Sequence, residues 1–350
     1  MKPTRALAAL TLSLLVLASW AQEKGQDKGK KKPDEGARIK VAVEMVSLPV
    51  VVSTREGKLV TDLEKGDFLV FEDGVPQEIA GFSPTDEPIS VALTIDTSGS
   101  TEARLAEMQN ESIRFTELLH PDDSVAVLSF AEDVKLQKDF TIDRSVNARG
   151  IKQTRAGGST VLYEAVWLAL DEVLKPIQER KALVLFTDGV DTASRKASMK
   201  ETLELAKETR AAIYSIYFNT EYDVMRRGVP GTRPTVGGIP LPGGGGPTVM
   251  GPPIYGPGRG GNWGEYAAGR KYLEDLSEYS GGRVFDALAM QDLGPAFEQI
   301  ARELASQYSI GYYSSNTKTD GKFRKVEVRV KRPGLVARTK KGYYSRKPAK

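Results

Sequence analysis

Hydrophobic residues fall in two different rhythms along the chain. Ile39, Val41, Val43 and Met45 alternate with polar or small residues, and then the phase flips to Val46, Leu48, Val50 and Val52. Alternation with period two marks half-buried strands, and the flip predicts a bulge or kink between two of them. After a turn at Arg55-Glu56-Gly57-Lys58, Phe68, Val70 and Phe71 lead into Glu72-Asp73-Gly74, a hairpin signal, and out through Ile79 and Phe82. The far end repeats the pattern. Tyr308 to Tyr313 and Phe323 to Val330 flank a turn at Asn316 to Gly321, with Val326, Val328 and Val330 on one face and Lys325, Glu327, Arg329 and Lys331 on the other. Neither end has enough strands for a sandwich alone. Residues 38–86 and 308–345 are therefore expected to pair as one small β-sandwich-like domain.

The middle, residues 88–307, runs to a different beat. Short apolar segments at Val91 to Ile95, Ser124 to Phe130, Ala182 to Thr187, Ala212 to Phe218 and Arg283 to Phe285 suit strands buried on both faces. Helical patterns separate them: Ala103 to Leu119, Leu162 to Leu174, Met199 to Arg210, Tyr266 to Tyr279 and Leu293 to Gln307. Such alternation predicts an α/β fold, a doubly wound and mostly parallel Rossmann-like sheet, inserted into the β domain. Residues 227–264 break the rhythm with dense Gly and Pro, including Gly243 to Gly246. Gly and Pro together deny helix and strand, so a loop is expected. It follows the strand ending at Phe218, and so belongs to the carboxyl edge where ligands bind in such sheets. A tolerated surface insertion is the other reading.

The first residues add a location. Lys2 and Arg5, the apolar run Ala6 to Leu17 and Ser19-Trp20-Ala21 read as a secretory signal over residues 1–21, the run being too short to span a bilayer. Export to the periplasm or the medium is expected, with no transmembrane segment in the mature chain. Residues 22–37 are Lys, Glu, Asp and Gly with Pro33 and no apolar period, the composition of a disordered tether. The net charge is +3, and losing Lys2 and Arg5 with the leader leaves +1 (3 − 2), which gives no general attraction for nucleic acid. There is no cysteine, so thiolate metal sites and cysteine nucleophiles are excluded.

The candidate chemistry lies at three boundaries of the middle region. The strand Val91 to Ile95 runs into Asp96-Thr97-Ser98-Gly99-Ser100; Gly157-Gly158-Ser159-Thr160 precedes a helix; and Leu183 to Thr187 ends in Asp188-Gly189. All three fall on the carboxyl edge of the expected sheet. Asp96, Ser98, Ser100, Thr160 and Asp188 offer three hydroxyls and two carboxylates. This all-oxygen set suits a hard cation such as Mg²⁺ (or Mn²⁺ or Ca²⁺), whereas Zn²⁺ and copper favour nitrogen and sulfur. An ion held mostly by hydroxyls keeps much of its charge and can accept a further carboxylate. Taken singly, Ser98 or Ser100 would read as a turn or helix cap.

With these residues in place the chain resembles the von Willebrand factor type A family. Asp96-x-Ser98-x-Ser100 matches its Asp-x-Ser-x-Ser motif, Thr160 its Thr and Asp188 its distal Asp, the five positions of a metal-ion-dependent adhesion site. The resemblance implies that Ser98, Ser100 and Thr160 ligate the ion, that Asp96 and Asp188 hold it largely through waters, and that a protein ligand donates Asp or Glu. Phe68 to Gln77, Gly311-Tyr-Tyr and Gly321 to Val326 look like an exported bacterial family related to it. Ser159 beside Thr160 is a departure, giving two candidate hydroxyls.

Rival functions fare worse on the residues. A phosphatase with Asp at the end of its first strand needs a second carboxylate two positions on, where this chain has Ser98. No Walker-type loop occurs, and the only histidine, His120, reads as a helix C-terminal cap. The expected function is a non-catalytic binding module. The alternative is a scaffold in which the metal only stabilises the fold. Asp191 and Ser194 read as surface polar residues, with support of the site as a second reading. Lys325, Arg329, Lys331, Arg332, Arg338, Lys340 and Lys341 allow a weak contact with an anionic surface.

Overall fold

The computed structural model describes residues 45–218, 235–236, 239–240, 263–287 and 289–345, all within one unit of the chain. The expected leader and tether, the strand positions Ile39 to Val43 and nearly all of the Gly/Pro-rich stretch lie outside the described residues.

The buried runs of the middle region form a six-stranded sheet. Its strands are β5 (Ile89–Asp96), β6 (Ser124–Phe130), β7 (Val134–Thr141), β8 (Arg180–Thr187), β9 (Ala212–Phe218) and β12 (Val284–Ala287). The order across the sheet is β12-β9-β8-β5-β6-β7; all neighbours are parallel except β7, which returns antiparallel along β6 as an edge. Pairing at positions 235–236 and 239–240 supplies the short β10 and β11.

Alternate residues on each strand feed opposite cores, and this is why the strands read as unbroken apolar runs. Val91, Leu93 and Ile95 join Val184, Phe186, Tyr214 and Ile216 on one face, under α1 (Leu105–Leu118) and the last helix (Leu293–Ala305). Ala92, Leu183, Leu185 and Ile213 face the other way, under α3 (Leu162–Trp167), α4 (Met199–Glu208) and α5 (Trp263–Ser280). The last helix is called α6 below.

Two elements differ from the sequence expectation. β7 was hidden because an edge strand buries little: Leu136 is exposed, and Lys135 and Lys138 interrupt the pattern. The nine-residue α2 (Arg144–Lys152) carries few apolar residues and includes Gly150, but Asp143 caps it by accepting from the amides of Ser145 (2.8 Å) and Val146 (3.3 Å). That Asp was the readable start signal. A smaller difference is that the expected helix Leu162 to Leu174 turns π-helical from Leu168 onward.

Strands from the two ends pair, as their matching rhythm predicted. β1 (Met45–Thr54) lies between β13 (Gln307–Tyr313) and β15 (Leu335–Arg338), with β4 (Ile79–Ser83) beyond β13. A second sheet runs β16 (Gly342–Tyr344), β14 (Phe323–Val330), β2 (Phe68–Glu72), β3 (Val75–Gln77). Leu48, Val50 and Val52 of the first sheet share a core with Phe68, Val70, Val326 and Val328 of the second.

Buried charges join the two parts where α6 runs into β13. Glu303 (4% exposed) accepts from Arg283 Nε at 2.8 Å and from Arg338 Nη2, while Arg338 also donates to the carbonyl of Gly281. Arg180, also buried, donates to the carbonyls of Leu304 (2.8 Å) and Thr85 (3.1 Å). Of the basic residues considered for an anionic surface, Arg338 is thus consumed internally and Lys340 is buried on Thr209 O. Arg329, Arg332 and Lys341 pair with Glu327, Asp62 and Glu278.

Removing one partner from a fully buried ion pair costs about 3–5 kcal/mol, and solvent access at Arg283 and Arg338 reduces this. Glu303→Ala should therefore lower stability by about 2–3 kcal/mol in urea denaturation. A loss under about 0.5 kcal/mol, typical of surface changes, would show the junction is not held this way.

Candidate functional site

The parallel register of β5 with β8 pairs Ile95 with Phe186 and so sets the next residues, Asp96 and Thr187, beside each other at the carboxyl edge. Asp96 is fully buried. Its Oδ1 accepts from Ser98 N (2.9 Å) and Ser98 Oγ (2.6 Å), and its Oδ2 accepts from Thr187 Oγ1 at 2.7 Å. Thr187 is a residue whose role the sequence reading missed, since it had counted only as the end of an apolar strand. Its hydroxyl also accepts from Gly189 N at 3.1 Å, so it holds both the Asp96 carboxylate and the turn after Asp188.

The chain of oxygens continues outward. Ser98 Oγ lies 3.2 Å from Ser100 Oγ, and Ser100 Oγ donates to Asp188 Oδ2 at 3.3 Å. Asp188 Oδ1 accepts from Val190 N at 3.1 Å. Ser98 stands at the N-cap of the 3₁₀ turn Gly99–Arg104, yet its hydroxyl makes no cap bond. Helix capping therefore does not account for this serine, whose oxygen is spent on Asp96.

Thr160 arrives on a separate loop stapled to the first. Gly157 N donates to Thr97 O (2.9 Å), and Gly99 N donates to Gly158 O (3.0 Å). Gly158 has a φ of +81°, a left-handed conformation that glycine adopts without the strain a Cβ would bring. Thr160 is gripped from the third loop, its amide donating to Thr192 Oγ1 at 2.8 Å. The structure thus links Asp96, Ser98, Ser100 and Asp188 directly, and holds the Thr160 backbone in a loop bonded to theirs.

Asp191 and Ser194, read from sequence as surface residues, instead satisfy the start of α3. Asp191 Oδ1 accepts from Tyr163 N (3.1 Å) and Ser194 Oγ accepts from Glu164 N (3.3 Å). A tight contact closes the other side. Gly189, at φ +80°, packs backbone to backbone against Gly269 of α5, where a Cβ on either would lie within 3 Å of the other. His120 follows the C-terminal end of α1, its ring exposed with Nδ1 3.7 Å from Asp122.

The electrostatics favour a cation. Burial pushes the Asp96 carboxyl above its ordinary range against the hydrogen bonds from Ser98 and Thr187. Asp188 (4% exposed) is pushed up to about 7, first by burial and then by the charge of Asp96. Two carboxylates this deep need a positive partner to stay ionised at neutral pH. Among the described residues no group of three or more His, Cys, Asp or Glu converges, so the remaining donors are hydroxyls. Hydroxyl and carboxylate oxygens fit a hard divalent ion.

The von Willebrand factor type A domain model matches residues 91–190, which include all five of these positions. No curated protein sequence matches. Among solved structures, the von Willebrand factor domain of the type V pili tip protein Mfa5 from Porphyromonas gingivalis is 12% identical, covering 61% of this chain and 94% of that one, with a TM-score of 0.43. A von Willebrand factor type A protein from Catenulispora acidiphila is 12% identical over 88% of this chain and 74% of its own, with a TM-score of 0.43. Proximal thread matrix protein 1 from the mussel byssus, with a zinc-occupied adhesion-site motif, is 17% identical over 65% of this chain and 48% of its own, again at 0.43.

A carboxyl raised from 3.8 to about 7 in the folded state holds its proton more tightly there than in the unfolded chain. Its contribution to stability is complete below 3.8 and is lost as pH climbs to about 7. In chelator, the stability of wild type relative to Asp188→Asn should fall by on the order of 2–4 kcal/mol between pH 4.5 and 7.5. Urea denaturation of both proteins at the two pH values measures it. An unchanged difference would show that Asp188 titrates normally.

Proposed function

We propose that the von Willebrand factor type A domain carried by this chain is a non-catalytic binding module that recognises an acidic protein ligand through a divalent cation. Asp96, Ser98, Ser100, Thr160 and Asp188 would hold the ion, Mg²⁺ or else Mn²⁺ or Ca²⁺. The observation that carries the reading is the buried pair Asp96 and Asp188, joined through the hydroxyls of Ser98 and Ser100, each carboxyl raised by burial.

Neutral hydroxyls leave a bound ion undercharged, and an Asp or Glu from a partner completes it. Catalysis lacks equipment: Ser98 stands where a phosphatase would need its acid/base carboxylate, and the exposed His120 is engaged with Asp122 instead. We further propose that the protein is exported, on the leader at residues 1–21; among the described residues no helix is long and apolar enough to cross a membrane.

Calorimetry with Mg²⁺, Mn²⁺ and Ca²⁺ tests the site. At least one should bind the wild type, and Asp96→Ala should weaken that binding by about 100-fold or more, the upper end of what a supporting ligand contributes. At a hundredfold excess over its dissociation constant the cation should add about 2.7 kcal/mol of stability. No heat with any of the three ions would end the cation reading. A protein captured from the exported fraction in Mg²⁺, released by chelator and missed by Asp96→Ala, supports recognition. Stabilisation by the ion with no such partner leaves a scaffold role.

A further inference from the structure

We propose that Thr192 is the positioning residue for Thr160, so that the loop carrying Asp188 also sets the Thr160 hydroxyl; this rests on the cation reading above. Thr160 sits in no helix or strand. It follows two glycines with φ of +138° and +81°, a stretch with little stiffness of its own. Its place is decided by what grips it, and three of those bonds come from one neighbouring segment. Thr160 N donates to Thr192 Oγ1 at 2.8 Å, while Thr160 O accepts from Thr192 N at 2.9 Å and from Ala193 N at 3.0 Å.

The same segment seizes the residues just beyond. Val161, the N-cap of α3, has no side-chain cap to offer, and Asp191 and Ser194 take the Tyr163 and Glu164 amides from across the site. Asp191 is itself braced by Ser194, Oγ at 2.5 Å and N at 3.2 Å. The grip is mutual, because Glu164 Oε1 accepts from Arg195 N (2.8 Å) and Lys196 N (3.0 Å). Residues 160–164 and 191–196 are therefore bonded into one piece. That piece begins three residues after Asp188, whose own carboxylate is tied to Ser100. Thr192 is exposed, so its hydroxyl contributes little to the core and its loss should leave the fold intact.

Thr192→Val removes the hydroxyl at constant shape, and Thr192→Ser keeps it. In the full chain, Thr192→Val should weaken Mn²⁺ binding by about 10-fold, within the range for groups that support a metal ligand, while Thr192→Ser stays near wild type. In chelator the melting temperatures should agree within about 3 °C, the size of one hydrogen bond. A second readout needs no metal: the Thr160 amide should exchange with solvent about 5–10-fold faster in Thr192→Val and not in Thr192→Ser. Mn²⁺ binding by Thr192→Val at wild-type strength overturns the proposal, as does an equal loss in Thr192→Ser. Absence of heat in the wild type with Mn²⁺, Mg²⁺ and Ca²⁺ alike overturns the cation reading and this inference together.

Discussion

Like charges are hard to bury together, and the carboxyl edge of this sheet buries two of them. Asp96 and Asp188 repel one another across the serines that link them, and burial denies both the water that would screen that repulsion. Hydrogen-bond donors are arrayed on both: Ser98 and Thr187 on Asp96, Val190 and Ser100 on Asp188. Hydrogen bonds alone leave Asp188 with a proton affinity near neutrality. In the function proposed here, a divalent ion resolves what the hydrogen bonds cannot, by adding positive charge beside the two carboxylates.

The rest of the fold makes that concentration of charge possible. Parallel pairing of β5 with β8 brings Asp96 next to Thr187 without any direct interaction being needed to find the match. Both strands are buried on two faces, so the register is fixed by Val91, Leu93, Ala182 and Val184 far below the site. The opposite end of the sheet is anchored differently. There Glu303 and Arg338 bind α6, the last helix, to the smaller sheet that contains β15, Arg180 holds the end of the helix, and β13 continues from it into the middle of that sheet. A buried ion-pair junction lies at one end of the sheet and the candidate binding chemistry at the other.

Much of this was legible in residue order because it depends on burial and on short motifs. The parallel strands announced themselves as apolar runs, and Asp96-x-Ser98-x-Ser100 with Thr160 and Asp188 marked the loops that the structure brings together. What stayed hidden depends on contacts between distant segments. Thr187 looked like a strand terminus until Asp96 stood beside it, and Asp191 and Ser194 looked like surface residues until α3 was found to lack a cap of its own. β7 and α2 were silent because half-exposed edge elements carry weak apolar periodicity, although Asp143 did signal a helix start. The pairing of Gly189 with Gly269 has no local signature, since only the packing of α5 against the Asp188 turn makes either glycine necessary.

The most direct measurement is anomalous scattering from crystals grown with Mn²⁺. One strong peak is predicted, about 2.0–2.6 Å from the oxygens of Ser98, Ser100 and Thr160. Asp96 and Asp188 should lie at or just beyond that distance, and the peak should vanish in Asp96→Ala. No peak between these loops at millimolar Mn²⁺, or a peak that survives Asp96→Ala, would contradict the assignment.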